Sequence, residues 1–391
     1  MKESMFNVRV KVNDEEYLYN SKNNGLIKFD GKELSEENKK YLIDNGYYVN
    51  DDFDEIAEIE KEVNDNIFGE QEELLLTVAL TERCNFRCVY CYQEHEPKTL
   101  KSDNAKKLIN TVREILSANN YKSLRIHYFG GEPLLNLEML YFLHDEFQKF
   151  SHEFNIKYEP FITTNGSMLN RDILSKVRFR NVQLTFDGLE ETHNKLRKSD
   201  NFKFKDTINL IPDILELADN LTIRYNICEE NKNDLIPLID YLMTKFGTDK
   251  IRFITAQTIK FSEEDKITMV SFDEYAKLSL EARIRLSEYG KKFTLPQSVK
   301  FPCQFLNGNA YSITSDLTIK KCEESSIILD IFTKDVTKKR RSFKVAQECR
   351  NCRILPLCLG GCNKTKETGF KSCVPVKNNI EDIIKIYIKE A

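Results

Sequence analysis

Six strand-then-helix alternations between residue 74 and about residue 290 predict an α/β protein whose parallel sheet curls into a barrel or part of one, since parallel neighbours need a crossover, usually a helix. Two further observations complete the plan. Residues 1 to about 73 carry an antiparallel pattern, and from about residue 296 the chain is loop-like and holds seven of its 11 cysteines. In such a sheet the reactive groups belong at the C-terminal ends of the strands, so motifs falling there carry most weight.

The opening segment alternates in Phe6-Asn7-Val8-Arg9-Val10-Lys11-Val12 and continues in Tyr17-Leu18-Tyr19, a hairpin with its turn at Asn13-Asp14. A helical stretch over residues 35–45, then Gly46-Tyr47-Tyr48-Val49, then an acidic segment over 51–70 make a small α+β module. The first barrel strand is the apolar run at 74–80. A helix follows from the spacing of Leu108, Ile109, Val112, Ile115 and Leu116, and the next strand covers 124–129. Further strands fall at 159–163, 182–186, 221–227 and 251–255. Leu235, Ile236, Leu238, Ile239, Leu242 and Phe246 line a helix that Gly247 would terminate. A last helix is expected near 380–389.

Composition narrows the function classes. The 391 residues include 41% hydrophobic and 11% aromatic, with 14 Gly and 9 Pro, which supplies a core and excludes a disordered or low-complexity chain. The formal charge of −4 argues against non-specific binding to nucleic acid, and the run Lys338-Lys339-Arg340-Arg341 is too short to reverse that; it reads as a solvated linker. No apolar run approaches the ~20 residues of a membrane span, and the N-terminus lacks the plan of a secretory signal, so a cytoplasmic protein is expected. Thiols there stay reduced, which makes metal the natural use for so many cysteines.

Directly after the first barrel strand comes Cys84-Asn85-Phe86-Arg87-Cys88-Val89-Tyr90-Cys91, a C-x3-C-x2-C run. Three thiolates can hold three irons of a four-iron cluster and leave the fourth open to a small molecule. A zinc site would need a fourth ligand, for which His95 is in reach. With Phe129-Gly130-Gly131-Glu132-Pro133 at the second strand's end, Thr163-Thr164-Asn165-Gly166 at the third's, Thr185-Phe186-Asp187-Gly188 at the fourth's and Arg224 on the fifth, the sequence resembles the radical S-adenosylmethionine (SAM) enzymes. The resemblance implies a partial (β/α)6 TIM-like barrel in which Cys84, Cys88 and Cys91 carry the SAM-binding [4Fe-4S] cluster. It implies SAM contacts from Tyr90, Phe129, Gly130, Gly131, Glu132, Pro133, Thr164, Asn165, Thr185, Asp187 and Arg224, with Glu132 toward the methionine ammonium and Arg224 toward its carboxylate. The implied chemistry is a 5′-deoxyadenosyl radical abstracting hydrogen from a substrate, fed by a one-electron reductant such as flavodoxin or ferredoxin.

The C-terminal run Cys349-x2-Cys352-x5-Cys358-x3-Cys362, followed by Cys373, resembles the SPASM extension of radical SAM enzymes that modify peptides and proteins. By that resemblance Cys349, Cys352, Cys358 and Cys373 close one auxiliary [4Fe-4S] cluster, and Cys303, Cys322 and Cys362 bind a second. A zinc ribbon of Cys349, Cys352, Cys358 and Cys362 is the plainer alternative. Two positions depart from the family: Leu317 stands where a glycine is usual, and Glu323 replaces the aspartate that is a general base in sulfatase-maturing members. Glu323 is the candidate catalytic base, or a solvated neighbour of Glu324. No eighth cysteine completes the second auxiliary cluster unless Cys228 does, and Cys228 reads as a buried thiol. An open iron there could take a substrate cysteine.

The N-terminal module resembles the winged-helix-like leader-recognition element of ribosomal-peptide maturases, or is a structural cap. The resulting domains are 1–73, leader-recognition-like; 74–295, radical SAM barrel; and 296–391, SPASM domain. The expected activity is maturation of a ribosomally made precursor peptide bearing a leader, most simply by thioether cross-links from cysteine. Formylglycine formation on a sulfatase-like client, carbon–carbon or ether cross-linking, and a non-catalytic zinc-stabilised peptide-binding protein are the rivals.

Overall fold

The structure is a computed structural model that describes residues 1–29, 35–260, 267–303, 309–320, 322, 328–331 (backbone only), 342–362, 365 and 373–390. Glu323, Glu324 and the basic run 338–341 lie outside the described residues. In chain order the first elements are β1 (Lys2–Glu3), β2 (Asn7–Val12), β3 (Glu15–Asn20), β4 (Leu26–Lys28), α1 (Glu36–Asp44), β5 (Tyr48–Val49) and α2 (Glu55–Phe68). Next come β6 (Glu73–Thr81), α3 (Ser102–Ala118), β7 (Ser123–Gly130), α4 (Leu137–Glu153), β8 (Lys157–Thr164), α5 (Arg171–Lys176), β9 (Asn181–Thr185), α6 (Glu190–Arg197), α7 (Phe204–Leu217), β10 (Leu221–Ile227), α8 (Leu235–Phe246) and β11 (Ile251–Gln257). The remainder is α9 (Phe272–Glu288), β12 (Ala310–Ile313), β13 (Thr318–Lys320), β14 (Ile328–Ile331) and α10 (Val376–Glu390).

The chain clusters into two compact units. One is the barrel: β6 through β11 lie side by side in sequence order, all parallel, giving a (β/α)6 partial barrel. Along β6, β7, β9 and β10 one parity is apolar and buried, as in Leu74, Leu76, Val78 and Leu80, or Leu221, Ile223, Tyr225 and Ile227. The other parity is largely polar, with Thr77, Arg125, His127, Thr163, Gln183, Thr185, Arg224 and Asn226. A filled barrel core would be apolar on both faces, so this polar inner face belongs to a lumen that receives something.

Beyond the expected strands, β12 joins β6 in parallel, Ala310 opposite Leu75, and β13 and β14 follow antiparallel. Part of the segment read as loop therefore extends the barrel sheet. The tight turn between β12 and β13 holds Leu317 at φ +67°. That left-handed conformation is cheapest for glycine, which gives a physical reason for the residue usual at that position.

The second unit combines Met1–Gly69, α9 with the described residues after it to Cys303, and the described residues from 342 through α10. Asn13 (φ +50°) and Asp14 (φ +62°) make the two-residue turn of the β2–β3 hairpin, with the positive φ pair that suits a hairpin's twist. The acidic segment is the amphipathic helix α2, capped by the Asp54 side chain on the N–H groups of Ile56 and Ala57. Its Ile56, Ile59, Val63 and Ile67 form one core with Phe6, Phe343, Val345, Leu355 and Leu359. A second core joins Val8, Val10 and Tyr19 to Phe293, Leu295, Ile354, Leu357, Ile380, Ile383 and Ile384. Polar bonds follow the same seam: Asn64 exchanges two with the Phe343 backbone (2.8 and 3.1 Å), and the Ser21 hydroxyl donates to Arg353 O at 2.6 Å. The N-terminal module and the cysteine-rich segment thus share one interior.

Candidate active site

The loop after β6 is shaped by backbone bonds to the end of α6. Lys198 turns left-handed (φ +42°) and ends that helix, leaving its last carbonyls open. Arg87 N–H donates to Lys198 O at 3.2 Å and Val89 N–H to Leu196 O at 3.0 Å, so the cysteine loop completes the helix terminus. The Cys88 thiol reaches Arg197 O at 3.5 Å, and Cys91 Sγ lies 3.3 Å from His95 Nε2. Burial raises the Cys84 and Cys91 thiols and pushes Cys88 up to about 12, while the Arg197 cation acts in the opposite sense on all three. Among the described residues, no three Cys, His, Asp or Glu side chains close on a point that could hold one metal ion. A four-iron cluster makes no such demand, since each thiolate takes a different iron.

At the end of β7 the two glycines are sterically required. A Cβ on Gly130 (φ +135°) would sit 2.1 Å from Thr81 O, and one on Gly131 2.2 Å from Arg83 O. Gly131 N–H donates to Thr81 O (2.9 Å) and Glu132 N–H to Arg83 O (2.8 Å), binding this turn to the root of the cysteine loop. Glu132 is fully buried and accepts from the Thr164 hydroxyl (2.6 Å), Asn165 N–H (2.7 Å) and Leu134 N–H (3.2 Å), the last at the helical turn opened by Pro133. Burial raises its carboxyl and these donors work against that. Three of about four lone-pair directions are used, leaving one open to a further donor. Asn165 carries the connection onward, its amide donating to Asn85 Oδ1 at 2.8 Å and lying 3.8 Å from Cys84 Sγ.

Asp187, at the end of β9, is wholly buried. The Tyr90 hydroxyl donates to its Oδ2, and it lies 3.8 Å from the Arg197 guanidinium. Tyr90 accepts in turn from Arg197 Nη1 (3.0 Å) and Asn226 Nδ2 (3.3 Å), and Arg224 Nε donates to Asn226 Oδ1 at 2.8 Å. Arg224 stands opposite Thr185 in the sheet register. Tyr90, Asp187 and Arg224 therefore belong to one network with Arg197, which in sequence could line the barrel mouth but is not set apart from an ordinary polar residue, and with Asn226, which sequence reasoning missed. His193 closes it, accepting from Asp187 N–H at 3.4 Å. Beside the glycine turn, Phe129, Gly130, Thr77, Tyr92, Gln93 and Ser312 are among the residues lining a cavity of about 420 Å³.

In the other unit, Cys349, Cys352 and Cys373 each lie within electrostatic reach of Cys358, whose thiol burial pushes up to about 11. Lys377 Nζ sits 3.5 Å from Cys373 Sγ. Cys303 there is half-buried and Cys362 exposed, while Cys322, half-buried, follows β13 in the barrel unit. Cys228 is fully buried in the barrel, its thiol pushed up to about 12, with Glu230 bonded to it.

A thiolate loop joined through Asn165 to a buried carboxylate, at the open end of a parallel barrel with a polar lumen, defines an enzyme that seats a small charged cofactor against a metal cluster. Residues 78–242 match the family model described as the Radical SAM superfamily, and the barrel is a radical SAM domain: the protein is an enzyme of that superfamily, which uses SAM and a [4Fe-4S] cluster. The chain is 25% identical over 337 residues to a cysteine-type anaerobic sulfatase-maturating enzyme of Clostridium novyi, covering 76% of this chain and 89% of that one. It is 23% identical over 426 residues to the radical SAM cyclopropyl synthase TigE of Paramaledivibacter caminithermalis, covering 96% and 84%. Among solved structures, Streptococcus suis SuiB bound to precursor peptide SuiA superposes with a TM-score of 0.56 at 17% identity, covering 95% and 97%. No described helix is long and apolar enough to cross a membrane.

Proposed function

We propose that this enzyme matures a leader-bearing precursor peptide by closing thioether bonds from peptide cysteines to carbon. The observation that carries the reading is the clustering of Cys349, Cys352, Cys358 and Cys373 in a unit that shares its core with an N-terminal sheet module. A radical SAM barrel alone needs neither. The two curated relatives, which align over most of this chain, and the fold shared with SuiB support a peptide substrate.

In this reading Cys84, Cys88 and Cys91 hold the first cluster, and Gly130, Gly131 and Glu132 cradle the SAM ammonium. Thr164 and Asn165 fix that carboxylate, Arg224 takes the SAM carboxylate, and Tyr90, Phe129, Pro133, Thr185 and Asp187 shape the rest of the pocket. When bound at these residues, SAM and its cluster would supply the radical chemistry that removes hydrogen from a peptide carbon, and a cluster held by the C-terminal cysteines would supply an electron acceptor for thioether closure. Cys303, Cys322 and Cys362 are assigned to the auxiliary cluster with an open iron; the burial of Cys228 in the barrel supports leaving the eighth position vacant for the peptide thiolate. Glu323 is the proposed proton acceptor. The N-terminal module docks the leader, and a flavodoxin or ferredoxin supplies the electron.

The test is anaerobic co-expression with a small cysteine-bearing peptide encoded beside the gene, followed by intact mass with and without thiol alkylation. The expected product has lost two hydrogens per modified cysteine, and that cysteine no longer alkylates. Loss of two hydrogens with every thiol still free replaces the thioether with a carbon–carbon or ether link. The Clostridium novyi relative favours one second reading, formylglycine formation. A client peptide whose cysteine becomes a hydrazide-reactive aldehyde would establish that reading instead.

A further inference from the structure

Arg197 has no role in the chemistry above, yet its surroundings are unusual for a surface-type residue on a short polar helix. Its side chain is only 10% exposed, and Nε–H has no hydrogen-bond partner. The guanidinium lies over the Phe86 ring (5.4 Å to the centroid), donates to Tyr90 and stands 3.8 Å from Asp187. Its own backbone carbonyl meets Cys88, and the carbonyls on either side hold Arg87 and Val89. The same residue is thus fastened into the cysteine loop by its backbone and delivers a desolvated cation to it by its side chain.

A cluster on three thiolates is anionic and becomes more so by one charge on reduction, and cluster potentials respond to local charge, N–H donors and solvent exclusion. In a poorly solvated site a fixed cation acts strongly. We propose that Arg197 is the built-in counter-cation of the cluster on Cys84, Cys88 and Cys91, raising its reduction potential so that the one-electron donor can load it; the proposal rests on the radical SAM reading of that loop. Asp187 divides the same cation, and Glu132 is the other carboxylate that feels it. The two buried carboxylates set how much positive charge remains for the cluster. Arg197 is a positioning residue, acting through the cluster without touching the reacting carbon.

The test is a potentiometric titration of the full-length, reconstituted enzyme with dithionite under EPR, following the signal that changes when SAM is added. Arg197→Met should lower that midpoint by at least a tenfold change in the reduced-to-oxidised ratio, 59 mV for one electron. Arg197→Lys, which keeps the charge, should stay near wild type, and Asp187→Asn should move the midpoint upward. Equal shifts in the Met and Lys variants, or none, would overturn the proposal. If the Met variant does not retain its cluster, the Asp187→Asn titration decides, and a midpoint that fails to rise overturns it. Absence of any SAM-responsive cluster in the wild-type enzyme would overturn the radical SAM reading and this proposal together.

Discussion

His193 shows how far a residue's environment can depart from its type. It is packed against the rings of Phe186 and Phe204, and burial holds its imidazole at about 3, far below the usual 6.5, with Arg197 adding to the effect. Between those two values the unfolded chain binds a proton that the folded chain refuses, so stability falls as pH drops below about 6.5, by roughly 1.4 kcal/mol per unit. Urea titrations at pH 7 and pH 5.5 should show that loss in the wild type and a shallower one in His193→Gln. Equal slopes would mean that another group governs the acid limb. Nothing in the segment Glu190-Glu191-Thr192-His193-Asn194-Lys195-Leu196-Arg197 announces that His193 and Arg197 are buried, because polar composition reads as a solvated face. By contrast the motifs holding Cys84, Gly130, Glu132 and Asp187 stand out in the sequence, since short motifs at strand ends carry their spacing with them, and the structure places these residues at the C-terminal ends of the barrel strands. Leu317 lies between these cases. Its departure from glycine was visible in the sequence, but only the φ of +67° explains it, and its burial to 5% exposure offsets part of the ~1–2 kcal/mol that such a conformation costs.

At the scale of elements, the barrel strands were legible because each is a run of apolar or β-branched residues bounded by turns. Helix α2 was obscured by its charge: eight of its fourteen residues are Glu, Asp, Lys or Asn, and they mask the apolar spacing at Ile56, Ile59, Val63 and Ile67. Strands β12 to β14 were missed because they are only three or four residues long, too short for a period to register. The hidden face of α2 gives a prediction. Ile59→Ala and Val63→Ala each remove a buried side chain from the core shared with Leu355 and Leu359, and together should cost several kcal/mol. That core also contacts Cys349 and Cys352. Iron analysis should therefore find the double variant depleted in auxiliary iron with 5′-deoxyadenosine formation retained. Full auxiliary occupancy would show that the N-terminal helix does not support the cysteine-rich segment.

For the whole molecule, the consequence is that the N-terminal module is not a detachable arm. Removing Met1–Gly69 would uncover Ile354, Leu357, Ile380, Ile383 and Ile384 along with the α2 seam. The truncated enzyme should bind less iron per chain and aggregate, while its barrel, a unit of its own, still cleaves SAM. Iron content, light scattering and 5′-deoxyadenosine yield measure these separately; a truncated chain with full iron and no aggregation would contradict the shared core. Leader docking is then better examined by trimming the peptide than by trimming the enzyme.

The same interleaving sets an order of events on the ribosome. Val8, Val10 and Tyr19 emerge early, but the helix residues that cover them, Ile380, Ile383 and Ile384, are synthesised roughly 370 residues later. At about 5–20 residues per second, that is roughly 20 to 75 seconds with an apolar sheet face waiting for its partner. The intervening barrel can condense in that interval. The nascent N-terminus must be shielded meanwhile, by the barrel's own surface or by a chaperone, so yield of this enzyme in a foreign host should depend on translation speed and holdase supply as much as on iron.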